Sequence, residues 1–66
     1  MSGLVPDHPR AEQIAREFHE AYEDLAPEFG YRTRKESAVP WDDVPSGNKG
    51  LMRATVTRLL HRGVIR

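Results

Sequence analysis

The side chains able to do chemistry are few and scattered. Three histidines, His8, His19 and His61, share no ligand spacing, so a zinc site built from them needs distant segments to converge. The acids that stand together, Glu23-Asp24 and Asp42-Asp43, are sequence neighbours. Neighbouring side chains point to different sides of a helix, which suits them poorly to act as a general acid and its base. Serine, threonine, histidine and aspartate are all present, but no nucleophile elbow or histidine-flanking pattern singles out a triad. Gly47-Asn48-Lys49-Gly50 ahead of a helix could hold a phosphate on backbone N–H groups, with Lys49 as the charge. It lacks the Gly-Lys-Ser/Thr run of a P-loop, so a plain turn is the expected reading. These residues lead to the expectation of a protein that is not an enzyme and uses no cofactor or metal.

What must position such side chains is a very small fold. A chain of about 60 residues buries only roughly 60% of the surface it exposes when unfolded, and there is room in 66 residues for one domain. Without cysteine there is no disulfide framework and no thiolate metal site, which fits a reducing compartment and leaves oligomerisation as a source of extra stability. Apolar residues at 38% and charged residues at 30% suit a soluble domain better than a disordered tail. No apolar run approaches the ~18 residues of a membrane span, and Met1 to Pro9 lacks the pattern of a secretory signal, so a cytoplasmic protein without membrane contact is expected.

Two amphipathic helices are legible. Pro9 fits a first helical position, with Asp7 or His8 as cap, and Ala11, Ile14, Ala15, Phe18, Ala21, Tyr22 and Leu25 recur at three- and four-residue steps. The opposite face, Glu12, Arg16, Glu20 and Glu23, is polar, and His19 is expected on that polar side, in a weak surface pair or a hydrogen bond to the connection. Pro27 ends the helix near Leu25 or Ala26. A second helix should start after Pro45 with Ser46 or Asn48 as cap, carry Met52, Val56, Leu59 and Leu60 on one face, and stop at a left-handed Gly63. Val64 and Ile65 then fold back as a hydrophobic cap or present a contact surface.

The connection is rich in proline but also holds Phe29, Tyr31, Val39, Trp41 and Val44, too apolar for a floppy linker. Trp41, the lone tryptophan, sits between Pro40 and Pro45 where the two helices meet, and is expected to plug the crevice between them with its indole N–H on an acid or a carbonyl. Asp42 and Asp43 are expected to lead or cap a turn, with an ion pair to Arg53 or Lys49 as the lesser option. The domain layout is an N-terminal arm over 1–8 and one helical domain over 9–66, with helices at about 9–26 and 47–62 and a connection over 27–46. The fold class is all-α: two antiparallel amphipathic helices with Phe29, Tyr31, Val39 and Trp41 packed over them, a helical hairpin that could dimerise. Trp41, Phe18, Tyr22 and Leu59 are the expected structural keystones.

Ile14-Ala15-Arg16, His19-Glu20-Ala21-Tyr22 and Pro40-Trp41-Asp42-Asp43-Val44-Pro45 together resemble the ryanodine-receptor (RyR) domain, over about residues 12 to 62. The most specific element is the pairing of a His-Glu dipeptide with Trp-Asp-Asp-Val-Pro; after Pro45 the usual acidic, glutamine-rich turn is replaced by Gly47-Asn48-Lys49-Gly50. The size and the run Leu51 to Val56 also look like small proteins of actinobacterial phages. The resemblance implies a helical module used for interaction or ligand sensing, with no chemistry of its own.

Charge narrows the partner. Residues 1–30 carry two cations against seven acids, and residues 31–66 carry eight cations against three acids, a net −5 facing a net +5. Such a dipole is satisfied internally, between copies, or by a charged partner. Lys49, Arg53, Arg58 and Arg62 are the candidate ligand or partner contacts. They spiral around the second helix, the acidic first helix repels DNA, and a helix-turn-helix needs a link of roughly 3–4 residues where this one runs from 27 to 46. The leading expectation is an accessory protein, encoded by a phage, that binds a bacterial host protein. A module capturing a nucleotide-like anion with Lys49, Arg53 and the aromatic connection is the alternative, and a DNA-binding regulator comes third.

Overall fold

The computed structural model describes residues 7–66, so most of the expected arm, residues 1–6, lies outside the described residues. Helix α1 spans Ala11–Leu25 and helix α2 spans Ser46–His61; short 3₁₀ turns at Ala26–Phe29 and Trp41–Asp43 punctuate the connection. The two helices pack against each other, and no strand forms among the described residues. His8 N–H donates to Thr57 Oγ1 at 2.9 Å, and Arg53 reaches Glu12 at 3.1 Å. Four residues forward on the first segment thus correspond to four residues back on the second, which is an antiparallel hairpin.

The start of α1 falls two residues later than Pro9. Pro9 and Arg10 form a turn closed by Ala11 N–H on His8 C=O at 2.9 Å, and Arg10 is the capping residue with no side-chain cap. Neither Asp7 nor His8 caps the helix: Asp7 bonds Arg53, and His8 Nδ1 accepts the Arg10 N–H. Pro45 is likewise the residue before α2, and neither Ser46 nor Asn48 supplies a side-chain cap. The left-handed stop expected at Gly63 forms, and Gly30 supplies a second one. Gly63 has φ +72°, with Gly63 N–H on Leu60 C=O and Val64 N–H on Leu59 C=O, the paired bonds of a Schellman stop. Gly30, at φ +78°, closes the first 3₁₀ turn in the same way on Pro27 and Ala26.

The core is small and lies toward one end. Ala11, Ala15, Trp41, Val44 and Val56 are buried together, with Ile14, Val39, Met52, Leu60 and Ile65 partly buried against them. Two alanines on α1 let the tryptophan ring approach the helix closely, and Trp41 is only 2% exposed. Its indole N–H donates to Glu12 Oε2 at 2.6 Å, as expected of a buried tryptophan beside an acid. Lys49 Nζ stands 5.6 Å from the ring centre and shields its outer side. Leu59 is half-buried rather than central.

His19 is not on the polar side. It is buried, its Nε2 lies 2.7 Å from Val39 C=O, and its ring sits 5.8 Å from that of Trp41. Along α1 it continues the four-residue row of Ala11 and Ala15, and that row, not the Phe18-Tyr22-Leu25 row, faces the core. The ring hydrogen-bonds the Val39 carbonyl that the folded-back connection presents, so a polar side chain serves as a core residue. Phe18 and Tyr22 are therefore not keystones: both are more than half exposed. The connection lid is Val39, Trp41 and Val44, whereas Phe29 and Tyr31 stand out in solvent. At the C-terminus Ile65 packs on the core and Val64 is exposed.

Candidate functional site

Of the large apolar side chains left exposed, Phe18, Tyr22, Leu25, Phe29 and Tyr31 make one surface, while Leu51 and Val64 stand apart from its hollows. Phe18 and Tyr22 stack on α1 with centroids 5.9 Å apart, and Leu25 follows on the same row. The 3₁₀ turn then swings Phe29 out, and the Gly30 reversal brings Tyr31 back beside Tyr22. Tyr22, Leu25, Ala26, Phe29 and Tyr31 wall an apolar cup of about 260 Å³. Phe29 and Tyr31 are 74% and 70% exposed, so these rings are paid for by nothing inside the fold. Contiguous aromatic surface of this kind marks contact sites, while singly scattered apolar residues do not.

A second hollow of about 380 Å³ adjoins the cup and shares Tyr22 and Tyr31 with it. Its further walls include Phe18, Glu23, Arg32, Arg34 and Met52. Glu23 Oε1 accepts the Thr33 hydroxyl at 2.6 Å, which fixes the Tyr31-to-Arg34 segment against α1. The segment is irregular, and the Arg34 carbonyl closes the turn that follows by accepting from Ser37 and Ala38 N–H. Arg32 and Arg34 make no ion pair among the described residues.

The four basic residues expected to meet a ligand or partner do not converge. Arg53 Nε binds Asp7 Oδ2 and Nη1 binds Glu12 Oε1, both at 3.1 Å, so its guanidinium is engaged by two carboxylates. Lys49 donates to Asp42 C=O at 3.4 Å besides covering Trp41. Arg58 and Arg62 lie about half a turn around α2 from this pair and are exposed. The anticipated ion pair of Asp42 or Asp43 with Arg53 or Lys49 is replaced by Asp42 with Arg16 at 3.5 Å, which also approaches Glu20 at 3.9 Å. Surface pairs of this length contribute little singly. They do show where the charge dipole goes: Arg53 of the basic half meets Asp7 and Glu12 of the acidic half, and Arg16 meets Asp42.

The Glu12 carboxyl is held below its ordinary value, first by the Trp41 N–H bond, against an opposing desolvation, and further by Arg53 and Lys49. The role of this charged network is structural, because it joins α1, the tryptophan turn and α2. His8 and His61 come within 6.2 Å, centre to centre, while His19 lies at the Trp41 end. Among the described residues no three His, Asp or Glu side chains gather where they could hold a metal. Nor is any described helix long and apolar enough to cross a membrane.

The exposed aromatic face is only half readable from sequence. Phe18, Tyr22 and Leu25 were visible as a helical row, but their exposure depends on how far along α1 the connection reaches. Arg32 and Arg34 carried one signal, their alternation with Tyr31 and Thr33, which fits an extended strip as well as it fits a groove wall. Comparison with protein-family models, with curated proteins and with solved structures gave no match for this chain.

Proposed function

We propose that this is a small non-enzymatic accessory protein of actinobacterial phage type, working in the host cytoplasm by binding a bacterial protein. The observation that carries the reading is the face formed by Phe18, Tyr22, Leu25, Phe29 and Tyr31, large apolar side chains that the fold leaves in solvent. Aromatic residues and arginine are the types enriched at protein interfaces, and here both border one groove. The resemblance of the His19-Glu20 and Trp41-Asp42-Asp43-Val44-Pro45 segments to the RyR domain points the same way, toward a module that binds. Capture of an anion at Lys49 and Arg53 has no comparable support, since the Arg53 guanidinium already holds two carboxylates.

Affinity capture from an actinobacterial lysate tests the reading when wild type is run beside a Phe29→Ser/Tyr31→Ser variant. One or a few host proteins retained by wild type and lost by the variant is the expected result. Equal retention by both, or no specific protein with either, would end it, provided circular dichroism shows both folded.

A further inference from the structure

Two hollows that share Tyr22 and Tyr31 form one groove with unlike ends. The cup end has no charged residue in its walls, and its 260 Å³ lies below the roughly 300–1,000 Å³ of small-molecule sites. That space suits a single large side chain. The other end carries Arg32 and Arg34, opposed only by Glu23, whose carboxylate accepts the Thr33 hydroxyl. Arg53 and Arg16 are neutralised within the chain, whereas Arg32 and Arg34 have no acidic partner among the described residues.

We infer that this groove takes a segment of a partner protein that carries one large apolar side chain for the cup and, close to it in sequence, a carboxylate for Arg32 and Arg34. The inference rests on the docking reading above and adds the chemistry of the partner. An arginine fork binds a carboxylate with two parallel N–H bonds, so the charged end fixes the direction of the segment while the cup supplies most of the burial.

A second copy of this chain fits the face less well. In a two-fold pair of antiparallel α1 helices, the same flank of each helix meets the same flank of the other. Glu17 and Asp24, seven residues apart, share the solvent flank of the Phe18-Tyr22-Leu25 row and would be brought against their own copies. An anionic membrane surface meets the same acids.

The test is a random-peptide display library panned against the whole protein, followed by synthetic peptides made from the enriched sequences. Enriched peptides should share a Trp, Phe or Leu with Asp or Glu nearby, and Tyr31→Ala should abolish their binding. Replacing the peptide acids by amides should weaken binding about tenfold or more, as loss of a charge-assisted bond implies. An Arg32→Ala/Arg34→Ala variant should show the same loss, and in that variant the acid-to-amide change should have no further effect. Peptides with neutral or basic flanks that still need Tyr31 would overturn the inference and leave the docking reading standing. Monomeric protein that enriches no peptide would overturn it too. So would a dimer by sedimentation that Tyr31→Ala dissociates, which would make a second copy the occupant. Peptide binding and host capture that both survive Tyr31→Ala would sink the inference and the docking reading together.

Discussion

Replacing Trp41 by alanine should bring the domain to the edge of unfolding. The ring is 2% exposed, it contacts a core of only a few small residues, and its N–H anchors Glu12 at 2.6 Å. Large aromatic-to-alanine changes in cores cost about 3–5 kcal/mol. A chain of 66 residues has a total stability of only about 3–10 kcal/mol at typical values per residue. Urea unfolding followed by far-ultraviolet circular dichroism measures the loss, with an unchanged slope as the check that both variants share one unfolded state. Trp41→Phe keeps most of the ring and removes the N–H donor, so it separates packing from the Glu12 bond. Because the folded Glu12 carboxyl sits below its ordinary value near 4.5, the unfolded chain binds more protons between the two values. Its contribution is therefore complete above about pH 4.5 and disappears as pH falls through the lower, folded value. In Trp41→Phe the acid-induced loss due to Glu12 should shrink, since the largest cause of the shift is gone. A Trp41→Ala variant within about 1 kcal/mol of wild type would refute the packing argument, given the cavity cost above. An unaltered acid limb in Trp41→Phe would refute the electrostatic one.

Other substitutions probe the fold and the surface separately. His19→Ala should cost about 1–3 kcal/mol in the same urea assay, because Val39 C=O loses its partner in a half-buried site. Gly63→Ala should cost about 1 kcal/mol from backbone strain alone, since φ is +72° and an added Cβ would touch nothing within 4 Å. Gly47→Ala, in the first turn of α2 with equally open surroundings, should raise the melting temperature, with a gain of up to about 1 kcal/mol. Phe29→Ser and Tyr31→Ser should each stay within about 0.5 kcal/mol of wild type, as expected for side chains outside the core.

Much of the framework was legible because its signals are local. Pro27 and Pro45 bound the helices, Gly63 provides the left-handed stop, and the row Met52, Val56, Leu60 turns inward. The tryptophan's place followed from its isolation between two prolines. What periodicity could not tell is how far each helix is covered. The apolar row of α1 continues past Phe18, but the lid formed by Val39, Trp41 and Val44 sits over Ala11 and Ala15, so Phe18, Tyr22 and Leu25 emerge into solvent. His19 makes the hydrogen bond to the connection that its sequence allows, but from the buried row and not from the polar side. Its neighbour on the inward row is Ala15, and only the path of the connection puts a carbonyl where the ring can meet it. Among the basic residues, position on the second helix marks Lys49 and Arg53 as candidate ligand or partner contacts, whereas tertiary contacts join them to Trp41, Asp7 and Glu12. Arg32 and Arg34, which no helical pattern singled out, are the cations that line a groove.

The division between a tryptophan-centred core and an exposed aromatic face proposed to dock a partner can be read in one experiment: hydroxyl-radical labelling of the protein alone at low concentration and again with the host protein that affinity capture is expected to return. The account predicts that Phe18, Tyr22, Phe29 and Tyr31 are modified in the free protein and protected in the complex, with Trp41 protected in both. Protection of those four rings in the free monomer, or labelling of them that does not change in the complex, would contradict it.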